Sequence, residues 1–116
     1  MSTWKCLELI KGTTKNYEIK FTKNGTAQDI TGWTVFFTLK ESMKDPDSSA
    51  IIRKDITIHE DASSGISVIE LTSTDTDIDP GTYYFDIKYK DNESPPNIGV
   101  LFMGRLKVIE SVTQRS

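Results

Sequence analysis

One histidine, one cysteine and three aspartates spaced by two are the side chains whose types and spacing could do chemistry in this chain. Nucleophilic catalysis needs a nucleophile within reach of a base, usually histidine, and His59 runs directly into Glu60 and Asp61. It ends a stretch in which Ile52, Ile56 and Ile58 share one parity, so it reads as an exposed strand-end histidine. The enzyme alternative is a small hydrolase using His59 with nearby carboxylates, and it requires that His59→Ala abolish turnover. Cys6 lies in a predicted strand with Lys5 as its obvious cationic neighbour, which suits a small packing residue better than a thiolate nucleophile. Asp75, Asp77 and Asp79 raise the question of a calcium loop, because hard cations need several oxygen ligands gathered together. The glycine and distal glutamate of an EF-hand are absent from that spacing, and the other reading is a solvated acidic connection in which Asp79 serves a turn. Cysteine and histidine never cluster at metal-ligand spacing, and no glycine-rich loop precedes a helix, so no metal, cofactor or catalytic residue is expected.

Composition bounds the partners. At 116 residues the chain is read as one domain, 1–116, long enough to bury a continuous core. Hydrophobic residues make up 36% and charged residues 27%, a folded balance with one well-solvated sheet face. The net charge of −3, the pI near 5.1 and 14 scattered basic residues leave no electrostatic footprint for nucleic acid. No apolar run approaches the roughly 20 residues that cross a bilayer, and the start of the chain does not read as a secretory signal. With Cys6 as the only cysteine, no intramolecular disulfide can form, and the expected compartment is a reducing cytoplasm.

The dominant hydrophobic period is two, the signature of strands with one buried face. Trp33, Val35, Phe37 and Leu39 alternate with more polar partners, as do Tyr83, Phe85, Ile87 and Tyr89. Tyr17, Ile19 and Phe21 mark another strand, Ile52 to Ile58 a fourth, and Ile66 with Val68 a fifth. Trp4 to Ile10 and Gly99 to Ile109 complete about seven, with Val100, Phe102, Leu106 and Val108 expected on one face of the last. Turn chemistry separates them at Asn24-Gly25, Thr31-Gly32, Ser63-Ser64-Gly65 and Asp79-Pro80-Gly81. The segments Lys44 to Ala50 and Asp91 to Asn97 read as mobile, exposed loop tips.

Asp79, Pro80, Gly81 and Tyr83 have the form of a tyrosine corner, in which a tyrosine opening a strand bonds back to the chain just upstream. The corner precedes the sixth strand, where an immunoglobulin-like order places it. The fold expected is therefore all-β, an immunoglobulin-like antiparallel β-sandwich of about seven strands. Trp33 takes the place at which such sandwiches often bury a tryptophan, and Gly104 marks either a bulge or the close approach of another backbone.

The order Asn24-Gly25, Asp29-Ile30-Thr31-Gly32-Trp33, Phe37-Thr38-Leu39-Lys40, Gly65, Leu71-Thr72, Pro80-Gly81-Thr82-Tyr83, Phe85-Asp86-Ile87 and Gly104-Arg105-Leu106-Lys107-Val108 resembles the N-terminal domain of phage upper baseplate proteins and related prophage tail modules. That resemblance implies a noncatalytic virion structural module, docked to other phage tail or baseplate proteins and capable of forming a homo-oligomer. If the Val35 parity is buried, Phe36, Tyr84, Leu101 and Met103 point the other way and form a candidate partner surface. The alternative from another class is a stand-alone immunoglobulin-like binding module for a carbohydrate or surface protein, with Trp4, Trp33, Phe36 and Tyr84 as contact aromatics.

Overall fold

The computed structural model describes residues 4–112. Nine strands follow one another in chain order: β1 (Trp4–Ile10), β2 (Lys15–Lys20), β3 (Thr22–Lys23), β4 (Thr26–Ala27), β5 (Thr34–Lys40), β6 (Ile52–Ile56), β7 (Ile66–Leu71), β8 (Gly81–Lys90) and β9 (Ile98–Ile109). They form a five-stranded sheet in the order β1-β9-β8-β5-β6, a two-stranded sheet β2-β7, and a small hairpin β3-β4. The fold is an all-β sandwich. All the pairings are antiparallel except that of β1 with β9, because the first and last strands run in the same direction along one sheet edge.

The period of two does the work of folding. Val35, Phe37 and Leu39 of β5 and Tyr83, Phe85 and Ile87 of β8 all point between the sheets, where they meet Ile19, Ile69 and Leu71. The Phe37 and Phe85 rings stack with centroids 6.1 Å apart across the paired strands. At one end of this core Trp33 stacks on Tyr89 at 5.4 Å, and both meet the edge of Phe21.

Several boundaries differ from the alternation in the sequence. The strand over Tyr17 to Phe21 stops at Lys20, and Phe21, still buried, donates its N–H to the Gly65 carbonyl at 2.8 Å. β6 ends at Ile56, so Ile58 falls outside the ladder and is 88% exposed. Cys6, expected to pack, is exposed, because Leu7 and Leu9 take the inward parity of β1. In β9 the register slips by one residue opposite Ile87 and Lys88: Phe102 pairs with Ile87 and Val100 with Lys88, leaving Leu101 as the extra residue of a bulge. Val100 therefore leaves the face that Phe102, Leu106 and Val108 share, and is 42% exposed.

Two glycines are required by space. Gly65 has φ +74°, and a β-carbon there would sit 2.5 Å from the Gln28 carbonyl oxygen and 2.6 Å from that of Phe21. Gly104 is the tighter case: a β-carbon would fall 1.7 Å from the Lys5 carbonyl oxygen. The glycine in the last strand thus marks a close backbone approach, while the bulge lies three residues earlier at Leu101. Replacing Gly104 by alanine is expected to force β1 off β9 and to lower stability by about 1–3 kcal/mol, read as an earlier midpoint in denaturant unfolding. A midpoint unchanged from wild type would show that β1 does not hold this register in solution.

Candidate functional site

The chemistry-bearing residues of the acidic loop are committed to the fold. Asp75 accepts the Thr72 N–H at 2.8 Å and pairs with Lys54 of β6 at 2.7 Å. Asp77 pairs with Lys11 at 3.4 Å, and Lys11 also donates to the Ile78 carbonyl at 3.2 Å. The carboxylates of Asp75 and Asp77 thus serve two different lysines on two different strands or turns. Thr76 is buried between them and donates to the Thr13 carbonyl at 2.6 Å, which ties the loop to the turn between β1 and β2. At its end the Tyr83 hydroxyl donates to the Asp79 carbonyl at 2.5 Å, with the Tyr83 ring in the core and Pro80 and Gly81 making the turn between them.

His59 is half-buried rather than exposed. Its Nε2 lies 2.8 Å from the Trp33 carbonyl and its Nδ1 3.0 Å from the Ser67 hydroxyl. A carbonyl only accepts, so Nε2 carries the proton, and the ring clamps the turn before β5 to β7. Ser67 is fully buried, which denies this serine–histidine pair a substrate. The loops expected to be free tips are held by local bonds: Lys40 Nζ reaches the Asp45 carbonyl and the Asp47 carboxylate, each at 2.8 Å. The Asp91 carboxylate accepts the N–H groups of Glu93 and Asn97 at 3.1 and 2.8 Å.

The outer face of the five-stranded sheet is the remaining candidate. Phe36, Tyr84 and Met103 line one shallow cavity of about 300 Å³, with Met43 and Asp47 of the loop after β5 and with Asp86 among its lining residues. Leu101 does not join them, because the bulge turns it to pack against the core, and Val100 takes its place in the outer row beside Lys88 and Phe36. Nothing in the local sequence distinguishes a bulged Leu101 from an in-register one. The aromatics of the alternative binding module are also separated, since Trp33 belongs to the inner stack while Trp4 lies on β1 opposite Met103.

Sequence reading also missed the charge of this face. The ladder places Arg53, Lys88, Lys90, Arg105 and Lys107 on it together with Asp55, Asp86 and Glu8, and none of these five cations makes an ion pair among the described residues. Cations outnumber acids on this face although the whole chain carries −3. Asp86 lies at its centre, between Met103 and Thr38 in the ladder. Burial pushes its carboxyl above the ordinary aspartate value, with Lys88 and Lys40 pulling weakly the other way. For Asp75 burial pulls upward too, but hydrogen bonds from Lys54 and Thr72 outweigh it and hold the carboxyl below its ordinary value.

A family model described as the BppU N-terminal domain matches residues 11–94. Among solved structures, the N-terminal domain of phage TP901-1 ORF48 is similar in fold, with a TM-score of 0.51, 13% identity, and coverage of 92% of this chain and 85% of that one. A structure titled as a photo-crosslinking analysis of cell-adhesive interactions of VGSC beta subunits reaches a TM-score of 0.45 at 12% identity, covering 93% of each chain. No curated protein matches the chain.

Asp75 and Asp86 respond to pH in opposite senses. Asp75 is lowered in the fold, so its stabilisation is complete above the unfolded value of about 3.9 and is lost as pH falls through its lower folded value. Asp86 is raised, so its burial is unfavourable at neutral pH and the penalty fades as pH falls from the raised value toward about 3.9. Near neutral pH, Asp75→Asn is expected to destabilise by on the order of 1 kcal/mol, while Asp86→Asn stabilises. Melting temperatures of both variants across an acid series check this: the Asp86→Asn gain should vanish below about pH 4. A gain that persists there would mean that charge burial is not its cause.

Proposed function

The chain belongs to the BppU N-terminal domain family, that of phage baseplate upper proteins, and from that membership we propose that it acts as a noncatalytic tail or baseplate component. It docks to other tail subunits through the outer face of the five-stranded sheet. Its place is the virion, after synthesis in the bacterial cytoplasm.

The observation that carries this reading is the composition of the face. Aromatic and methionine side chains at Phe36, Tyr84 and Met103 sit within a frame of mixed charge, Arg53 and Lys88 with Asp47, Asp55 and Asp86 at the cavity and Arg105 beside Tyr84. Protein interfaces have this anatomy, with an apolar, Met- and aromatic-rich centre and a polar rim. A partner that fits brings an apolar centre and a rim whose charges complement this mixed pattern, and rim charge of this kind speeds encounter and fixes orientation. The noncatalytic part of the proposal is supported by the fate of the chemistry-bearing residues: His59, Asp75 and Asp77 are fasteners between segments of the fold.

The test is incorporation into particles. Phage assembled without the native gene and complemented with the wild-type chain should carry the chain in the tail. Phe36→Glu places a charge at the apolar centre; it should leave the melting transition within about 1 kcal/mol of wild type, as exposed-face substitutions do, yet reduce incorporation at least tenfold. Wild-type incorporation of that variant would remove the outer face as the docking surface. Absence of the wild-type chain from particles would overturn the virion role itself. Light scattering of the purified chain on dilution tells whether the same face also holds a second copy.

A further inference from the structure

β1 is an edge strand: it pairs with β9 on one side, and no described residue pairs with the other. Edges are commonly guarded by charge, because unpaired N–H and C=O groups template further pairing. β6 is guarded by Arg53, Lys54 and Asp55, and β2 by Lys15, Glu18 and Lys20. β1 instead shows a large apolar side chain at each end, Trp4 at 40% and Ile10 at 50% exposure, and no other edge strand presents one among the described residues. Leu7 and Leu9 point inward, so Trp4, Cys6, Glu8 and Ile10 share the outer face, where their neighbours on β9 are Met103, Arg105, Lys107 and Ile109 in that order. The edge thus has an apolar pair at each end with charge between them. The Lys5 nitrogen and carbonyl oxygen lie against Gly104, and peptide groups alternate in direction along a strand, so those of Trp4, Cys6, Glu8 and Ile10 face the open side.

We propose that the occupant of this edge is a second copy of the chain, its β1 antiparallel to the first about a two-fold axis at Leu7, so that two sheets join into one. Opposed residues in such a pair share a face, which leaves registers centred on Cys6, Leu7 or Glu8 to consider. Centring on Cys6 sets Trp4 against Glu8 and leaves Ile10 with nothing opposite, and centring on Glu8 sets that acid against itself. Centring on Leu7 matches every outer row. Met103, Trp4, and Ile10 and Ile109 of the second copy make an apolar line across the seam, and symmetry repeats it at the other end. Between these lines Arg105, with only the small Cys6 intervening, faces Glu8 of the second copy, which is a complementary charge. The outward peptide groups of Cys6 and Glu8, and of Trp4 and Ile10, then exchange hydrogen bonds. On the inner face Lys5 opposes Leu9 through its alkyl stem alone, because its Nζ stands 5.2 Å from the Phe102 ring centroid. This contact goes beyond the tail-component reading and is separate from the docking face, since β9 and β8 lie between β1 and the strand that carries Phe36.

Sedimentation equilibrium of the purified full chain tests this. The pairing of one short strand is at the small end of specific interfaces, so a monomer–dimer equilibrium with a dissociation constant on the order of 10–100 μM is expected. Cys6→Glu should fold, since in the free chain position 6 lies beside Arg105, but in the dimer it opposes Glu8 of the second copy twice and should weaken association by about tenfold. Adding Glu8→Lys to that variant should restore the dimer. Leu7→Cys in a Cys6→Ser background brings two thiols to the axis with α-carbons about 4.5 Å apart, so mild oxidation should join the copies. The native Cys6 pair is diagonal at roughly 7–8 Å and should not cross-link. A strict monomer up to about 1 mM overturns the proposal, as does Cys6→Glu dimerising like wild type or cross-linking through native Cys6, which would place the axis there. Loss of the dimer in Phe36→Glu also overturns it, by moving the contact to the sheet face. None of these outcomes depends on particle incorporation, so failure here leaves the tail-component reading standing.

Discussion

The structure depends on β8 being paired on both sides over most of its length. Its ladder to β5 runs from Tyr84 to Lys90, and its ladder to β9 from Gly81 to Lys90. Side chains alternate strictly in such a strand, so one register decides two surfaces at once. Tyr83, Phe85 and Ile87 enter the core, and Tyr84, Asp86 and Lys88 are thereby committed to the opposite face. A slip by one residue would bury Asp86 and Lys88 unpaired and expose Phe85 and Ile87, a cost of many kcal/mol by the burial of charge alone. The outer surface therefore inherits its order from the core. It needs no loop to arrange it.

That coupling explains what could be read from the chain. The strands β5 and β8 are legible because their alternation is uninterrupted, and the corner at Asp79 to Tyr83 is legible because turn chemistry is local. The last strand is different. The bulge at Leu101 obeys no local rule, since Val100-Leu101-Phe102-Met103 is apolar throughout and offers no parity to break. Only the partner strand, with Lys88 and Ile87 fixed by β5, determines which residue is skipped. The candidate surface was therefore legible at Phe36, Tyr84 and Met103, which lie on unambiguous parity, and illegible at Leu101 and Val100. Its charge pattern was hidden too, because Arg53, Asp55, Lys88 and Arg105 are on three different strands and meet only through three ladders.

The same separation governs the residues that looked chemical. His59 and the aspartates at 75 and 77 invite catalytic or ionic readings because their local neighbours are polar. Their partners are remote: the Trp33 carbonyl and Ser67 for His59, Lys54 for Asp75, Lys11 for Asp77. Each joins two segments that the hydrophobic core alone would leave free to slide. The fully buried Thr76, bonded to the Thr13 carbonyl, fastens the β1–β2 turn in the same way. A chain with a single cysteine has no covalent staple, and these bonds hold the ends of a small sandwich where a disulfide otherwise would.

Asp86 sets the terms on which the outer face can be covered. A half-buried carboxylate amid Met103, Phe36 and Tyr84 is already partly desolvated, and a flat apolar partner would complete that desolvation without offering anything in return. On the proposed docking face such a partner is disfavoured, however well its shape fits. A partner that places a hydrogen-bond donor over Asp86 removes the penalty and keeps the apolar contact. On the proposed docking the acid acts as a discriminator: it subtracts from the stability of the free chain and returns specificity when the face is covered. Under the same proposal the mixed charges around it, Arg53, Lys88 and Arg105 with Asp55, orient an incoming surface at longer range over a centre that needs a donor.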